Sequence, residues 1–192
     1  IYEKNKNSEN YENKWMQQRP KQRIYTDRTK LNVSFFPEGG QLVSGINSRV
    51  AFEATNEEGK AVSLEGVLTN GESIKTEYMG RGSFLYTPTN EKAMAIFNYM
   101  GKTYSFNLPK AEAKGAVLNY DCTNNKIKIG TNIPLGAISI SCRGVCTFFK
   151  RFSENPTGLQ LSEMPLRTGV NDIVLYDTLA IPIATRQIFV NN

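Results

Sequence analysis

The chain has 192 residues, 23 Lys and Arg against 18 Asp and Glu, three cysteines and no histidine. Without histidine there can be no Ser-His-Asp or Cys-His catalytic arrangement, no His-ligated metal and no imidazole base near neutral pH. A hydrophobic fraction of 40%, with ten Phe and nine Tyr, suffices for a packed core, while no stretch approaches the ~18 apolar residues of a membrane-spanning helix.

Charge is unevenly placed. Residues 1–30 hold eight Lys/Arg and four Asp/Glu, so most of the net charge of +5 belongs to this polar, Asn- and Gln-rich arm. It lacks two-residue alternation and is expected to be an arm or linker rather than a strand. A helical reading survives locally: Ser8 can cap a short helix with Glu9 and Glu12 near its start, Tyr11 and Trp15 four apart, and Arg19 and Lys21 near its end around Pro20. About ten residues is marginal for a helix in water, so it would need a surface to lean on. The aromatics Tyr2, Tyr11, Trp15 and Tyr25 among cations raise single-strand nucleic-acid binding. The charge is small for that role and no Arg-rich stretch accompanies it, so no nucleic-acid partner is expected. The opening residue, Ile1, and the absence of a basic-then-apolar leader suggest a segment cut from a longer polypeptide.

From Leu31 the texture becomes short alternating runs punctuated by Gly and Asn. LNVSFF, SRVAFEAT, AVSLEGVLT, ESIKTEYM, GSFLYTP, KAMAIFNY and KTYSFNL read as strands. Between them, turns fall at 56–60, 70–72, 80–82 and 100–102. Asn70-Gly71 is the best single hairpin signal. Pro109-Lys-Ala-Glu-Ala-Lys114 interrupts the rhythm as a short non-β linker. The strand pattern then resumes with GAVLNYDC, KIKIGT, GAISISC, VCTFFKRF, GLQLSEM, VNDIVLYD and PIATRQIFV, with turns at 123–125, 143–144, 154–158 and 178–180. The expected fold class is all-β: two tandem immunoglobulin-like or macroglobulin-like antiparallel β-sandwiches at 31–109 and 115–192, preceded by the arm at 1–30. The linker should be open to proteolysis, and Leu108, Ala111, Ala113 and Val117 should form the contact between the sandwiches.

Chemical motifs are sparse. Gly101-Lys102-Thr103 resembles the tail of a phosphate loop, but Ile96 stands where that motif needs its first Gly, and strands flank it instead of a helix. Gly80-Arg81-Gly82 fails the dinucleotide fingerprint because Leu85 takes the third Gly position. Glu57-Glu58 and Glu38 lack the alternation of a calcium loop and are expected to be solvated turn acids. Cys122, Cys142 and Cys146 form no zinc or redox pattern. Cys142 and Cys146 are offset across the Arg143-Gly144 turn, so a bridge would be strained, and buried free thiols are expected. No catalytic, cofactor-binding or metal-binding residue is assigned, and no cofactor is expected. A glycan or peptide groove would require Trp15, Tyr78 and Tyr86 to line one surface.

FFPEGGQLVSGINSRVAFEATNEEGKAVSLEGVL, residues 35–68, resembles the opening of macroglobulin-like β-sandwich modules of large Gram-negative cell-envelope proteins, some of which precede a TonB-dependent-receptor plug-like domain. Tyr104 and Phe106 before Leu108-Pro109 resemble the closing strand of that module, and GVNDIVLYD with PIATRQIFV resembles the end of the next. The resemblance implies a non-enzymatic structural or interaction region in the periplasm or at the outer-membrane surface. Its partners would be neighbouring domains of the same chain and another envelope protein, a peptide or a glycan, without membrane insertion. The alternatives are a carbohydrate- or peptide-binding module, or part of an α2-macroglobulin-like protease inhibitor, although the thioester segment and bait region of such inhibitors are not present. The matching motif is structural. Pro37 suits an edge, Gly39-Gly40 a tight turn, and Val50 and Phe52 opposite sheet faces.

Overall fold

The computed structural model describes residues 30–89 and 92–191. The expected helix after Ser8, and Trp15 with it, lie outside these residues.

Each predicted run becomes a strand because alternation lets one face be buried while Gly-bearing turns reverse the chain. In the first half these are β1 (Leu31–Pro37), β3 (Ser48–Asn56), β4 (Glu65–Leu68), β5 (Ser73–Lys75), β6 (Arg81–Tyr86), β7 (Met94–Tyr99) and β8 (Lys102–Asn107). Sheet β1-β3-β6 faces sheet β5-β4-β7-β8. The second half repeats the plan with β10 (Ala116–Asp121), β11 (Lys126–Thr131), β12 (Leu135–Cys142), β13 (Val145–Arg151), β14 (Gly158–Gln160), β15 (Gly169–Asp177) and β16 (Pro182–Val190). Its sheets are β10-β11-β14 and β13-β12-β15-β16. Labelled A to G by position, both halves read A-B-E against C′-C-F-G, an immunoglobulin-like order in which the fourth strand pairs with the third. All pairings within these four sheets are antiparallel. The chain is therefore two tandem antiparallel β-sandwiches.

Two core clusters correspond to the two halves. One holds Leu31, Val50, Phe52, Phe84, Phe97 and Leu108, and the other holds Leu118, Ile127, Ile138, Ile140, Ile173 and Leu175. Val50 and Phe52 are both buried, at 0% and 1% exposure. This corrects the expectation of opposite faces, because residues two apart on a strand share a side.

The hairpin signals fall where expected. Asn70-Gly71 closes β4 onto β5, Gly71 N–H donating to Leu68 O at 2.8 Å. Two-residue turns of Met100-Gly101 and Arg143-Gly144 close β7–β8 and β12–β13, with positive φ at both residues of each. Between β5 and β6 the tight turn is Met79-Gly80, with reciprocal bonds between Tyr78 and Arg81, one residue earlier than the 80–82 cluster suggested.

The surprise is a pair of two-residue strands absent from the sequence reading. β2 (Leu42–Val43) runs parallel to β9 (Ala111–Glu112). The segment 109–114 is thus not wholly non-β. Further on, Gly115 N–H donates to Asn132 Oδ1 at 2.9 Å, and Asn132 Nδ2 donates to Ala113 O at 2.8 Å. The connection is hydrogen-bonded to both halves.

Candidate functional site: the junction and the cleft beside it

The segment between β1 and β3 carries the motif singled out in the sequence. It begins with a tight turn in which Gly40 N–H donates to Pro37 O at 3.0 Å. Gly39 sits at φ +88°, a left-handed backbone that disfavours other residues. A Cβ there would stand 3.5 Å from Leu118 N and 3.9 Å from Thr185 O, so the turn lies directly on β10 and β16 of the second sandwich.

Glu38 occupies this contact. Its side chain is only 8% exposed, and its Oε1 ion-pairs with Arg186 Nη1 on β16, while Arg49 Nε lies 3.8 Å from Oε2. This corrects the reading of Glu38 as a solvated turn acid: an adjacent sandwich covers it and supplies the counter-charge. By contrast, Glu57 is exposed, and Glu58, in the exposed turn at 56–60, pairs with Lys60 at 2.7 Å. Burying a carboxylate is costly unless a cation is placed against it. The pairing therefore favours one seating of the turn on β16. Among the described residues, Glu38 Oε2 and Arg186 Nε are buried without a hydrogen-bond partner.

Past the turn, Gln41 Nε2 donates to Ile183 O at 3.3 Å and Ser44 N–H to Glu112 O at 2.9 Å. Val43 and Val117 are fully buried yet belong to neither sandwich core. A Cβ on Gly130 would stand 2.5 Å from Ile46 Cγ2 and 3.1 Å from Val117 Cγ2, so only a bare α-carbon lets Ile46 seat there. Arg49 N–H donates to Asn119 Oδ1 at 3.4 Å, and Asn119 Nδ2 donates to Asn47 O at 3.0 Å. The contact between the sandwiches is built chiefly from residues 38–49. Of the four residues expected there, Val117 takes part and Ala111 pairs with Leu42 through β9. Leu108 is instead a core residue of the first sandwich, and Ala113 lines a neighbouring cleft.

That cleft has a volume of about 530 Å³ and is walled by Ser44, Tyr86, Pro88, Lys92, Leu108 and Lys110 among others. Burial pushes the Tyr86 phenol up, against a smaller opposing effect of a hydrogen bond from the Thr89 backbone. Tyr86 is 7% exposed at one end of β6, whereas Tyr78 is 73% exposed beyond its other end. The two do not line one groove, which corrects that expectation.

Other singled-out residues take structural places. Gly101 and Lys102 lie at the β7–β8 turn, and Arg81 Nε donates to Glu53 Oε1 at 2.9 Å across β3 and β6. Cys142 is a buried free thiol as expected, but Cys122 and Cys146 are exposed. Cys146 lies opposite Ser141 and Cys142 opposite Val145, so the two cysteines are not cross-strand partners. Asn171, fully buried, holds the start of β15 by donating to Arg167 O at 2.7 Å and Gly169 O at 3.1 Å. Among the described residues no group of three or more His, Cys, Asp or Glu is placed to hold a metal ion.

No family model matches the chain, and no curated protein matches it. A solved structure of fibronectin(III)-like modules of Clostridium thermocellum CbhA matches over 84% of this chain and 94% of that chain, at 13% identity and a TM-score of 0.28. So loose a superposition adds nothing to the strand order given above.

Proposed function

We propose that the chain is a non-enzymatic structural or protein-interaction region of a larger bacterial cell-envelope protein, positioned ahead of a TonB-dependent-receptor plug-like domain. Its modules are macroglobulin-like folding units at 31–109 and 115–192. It lies in the periplasm or at the outer-membrane surface, and its partners are neighbouring domains of the same polypeptide. The observation that carries this reading is the buried Glu38–Arg186 contact within a hydrogen-bonded junction. A spacer must hold its distal domain at a set distance and angle, and a flexible string would not. A junction with interdigitating side chains and a buried charge pair supports that stiffness. The macroglobulin-like assignment rests on residues 35–68, whose Pro-Glu-Gly-Gly turn is the element that makes the junction.

A replacement experiment tests the proposal. In the full-length polypeptide, exchanging residues 31–192 for an unrelated rigid two-module rod of equal span should preserve function, and exchanging them for a Gly/Ser linker should abolish it. Loss with both replacements would show that a specific surface is required. Fractionation with an epitope tag should recover the polypeptide in the envelope, and a cytoplasmic pool would overturn the placement.

The second reading, a carbohydrate- or peptide-binding module, is favoured by the cleft beside Tyr86. Its volume falls in the range of small-molecule sites, and Lys92 and Lys110 line it together with Tyr86, Leu108, Pro109 and Ala111.

A further inference from the structure

The corresponding edge strands of the two sandwiches differ. In the first, the edge strand β5 is three residues long, and β6 passes so close that a Cβ on Gly82 would meet Lys75 O at 2.2 Å. In the second, the edge strand β13 is seven residues long with the sequence VCTFFKR. Among the described residues it pairs with β12 on one side only. Phe152 N–H donates to Gly136 O at 2.9 Å, and antiparallel alternation back from that bond aims the amides of Arg151 and Phe149 away from β12. Phe149 and Val145 are 58% and 51% exposed along this edge, while Thr147 and Phe148 are partly covered. Lys150 and Arg151 on the strand and Arg143 in its turn are cations with no acidic partner among the described residues. On the outer face shared by Phe149 and Arg151, Asp172 lies two strands away and accepts from Gln187 Nε2 at 2.7 Å.

We propose that β13 is a strand-addition edge for an extended acidic peptide, which takes main-chain hydrogen bonds from Phe149 and Arg151, sets apolar side chains on the face of Phe149 and places carboxylates on the opposite face against Lys150, with Arg151 adding positive charge at the same edge. Open ladder amides supply register and affinity in such docking, and alternate side chains supply selectivity. Charge chooses the occupant. A second copy docking through the same strand would bring no carboxylate to Lys150 and Arg151, because VCTFFKR contains none. An acidic segment neutralises them. The surface is separate from the junction, so it stands or falls independently of the spacer reading.

The probe is a fluorescein-labelled peptide of alternating Glu and Val, eight residues long, titrated with the complete chain and read by fluorescence anisotropy. Binding should weaken as salt rises, and a Lys/Val peptide should not bind. The double variant Lys150→Glu/Arg151→Glu should weaken binding by about tenfold or more. Phe149→Pro, which removes an outward amide at an edge position that tolerates proline, should also abolish it while leaving the far-ultraviolet spectrum unchanged. To keep the test independent of variant folding, the Glu/Val peptide N-methylated at alternate residues should fail to bind the unmodified chain. No binding at low salt, or binding indifferent to both N-methylation and charge reversal, overturns the proposal. So does a dimer in sedimentation that Phe149→Pro dissolves, because it makes a second copy the occupant.

Discussion

The two sandwiches share a strand order and almost nothing else in their interiors. The first is built around rings: Phe52 lies 6.3, 6.1 and 5.8 Å from Phe35, Phe84 and Phe97, and Phe106 stands 6.2 Å from Phe97. The second is filled by Leu118, Ile127, Ile138, Ile140, Ile173 and Leu175, with Phe148 and Tyr120 packing from its margin. The same A-B-E and C′-C-F-G arrangement is reached by aromatic and by aliphatic packing. Alternation and turn placement therefore specify this topology, and the identity of the core residues is secondary so long as they fill the space between the sheets. The halves also differ at their surfaces. The first presents a turn that buries its acid in the neighbour, while the second presents an open cationic edge.

The largest expected effect separates the two interiors. Phe52→Ala removes the ring at the centre of the aromatic cluster and should destabilise the chain by about 3–5 kcal/mol in denaturant unfolding, whereas Ile140→Val in the second core should cost about 0.5–1.5 kcal/mol. A Phe52→Ala cost below that of Ile140→Val would mean that the rings do not organise the first core.

Next in size is the contrast between two turn acids. Glu38→Ala leaves Arg186 facing a partly buried void and should cost about 2 kcal/mol, less than a fully buried pair because Arg186 retains some exposure. Glu58→Ala, in the exposed turn that the sequence made look equivalent, should change stability by less than about 0.5 kcal/mol. Equal costs for the two would erase the distinction between docked and solvated turns.

Gly130→Ala introduces a methyl group where Ile46 and Val117 already meet and should cost about 1–2 kcal/mol. Gly144→Ala serves as the control. A Cβ there has nothing within 4 Å, and any cost comes from the positive φ of +76° alone. Chemical shifts should move on both sides of the junction for Gly130→Ala and only within the β12–β13 hairpin for Gly144→Ala.

The smallest effect concerns pH. Asp121 closes the β10–β11 hairpin, where hydrogen bonds from Asn124 and, secondarily, the ammonium of Lys128 hold its carboxyl well below the usual carboxylate range. A depressed folded-state value means that the contribution is complete above the unfolded Asp value of about 3.9 and is lost as pH falls through the lower folded value. Carboxylate chemical shifts should show Asp121 still ionised at pH 3. Asp121→Asn should flatten the acid limb of the stability curve slightly, and an Asp121 titrating near pH 4 would contradict this account.

The sandwich strands were legible because each carries its own signal, a two-residue alternation ended by Gly or Asn. Ile127 and Ile129 alternating with Lys126 and Lys128, or Ile138 and Ile140 alternating with Ser139 and Ser141, announce a buried face without reference to any other part of the chain. The junction was not legible. Gln41 reaches Ile183 across 142 residues, and Glu38 finds Arg186 at similar range, so no local pattern could mark either pair. One signal was available: Leu42-Val43 is an apolar pair inside a Gly-rich loop, too short for a core strand, and such a pair needs a surface to cover it. The exposure of Cys122 and Cys146 was hidden for a related reason. Cysteine's tendency to be buried says nothing about a residue in a turn or on an open edge strand, and only strand order reveals which strand is the edge.

If the turn around Glu38 fixes the two sandwiches in one relative orientation, the distance between them is narrowly distributed. With Cys122 and Cys146 replaced by Ser, spin labels at Glu57→Cys and Leu179→Cys, both exposed positions on different sandwiches, can be measured by pulsed electron resonance. One narrow distance is expected in the parent chain and a broad distribution once Glu38→Ala and Gly130→Leu are added. A broad distribution in the parent chain, or a narrow one that both substitutions leave unchanged, would contradict an orientation fixed by this turn.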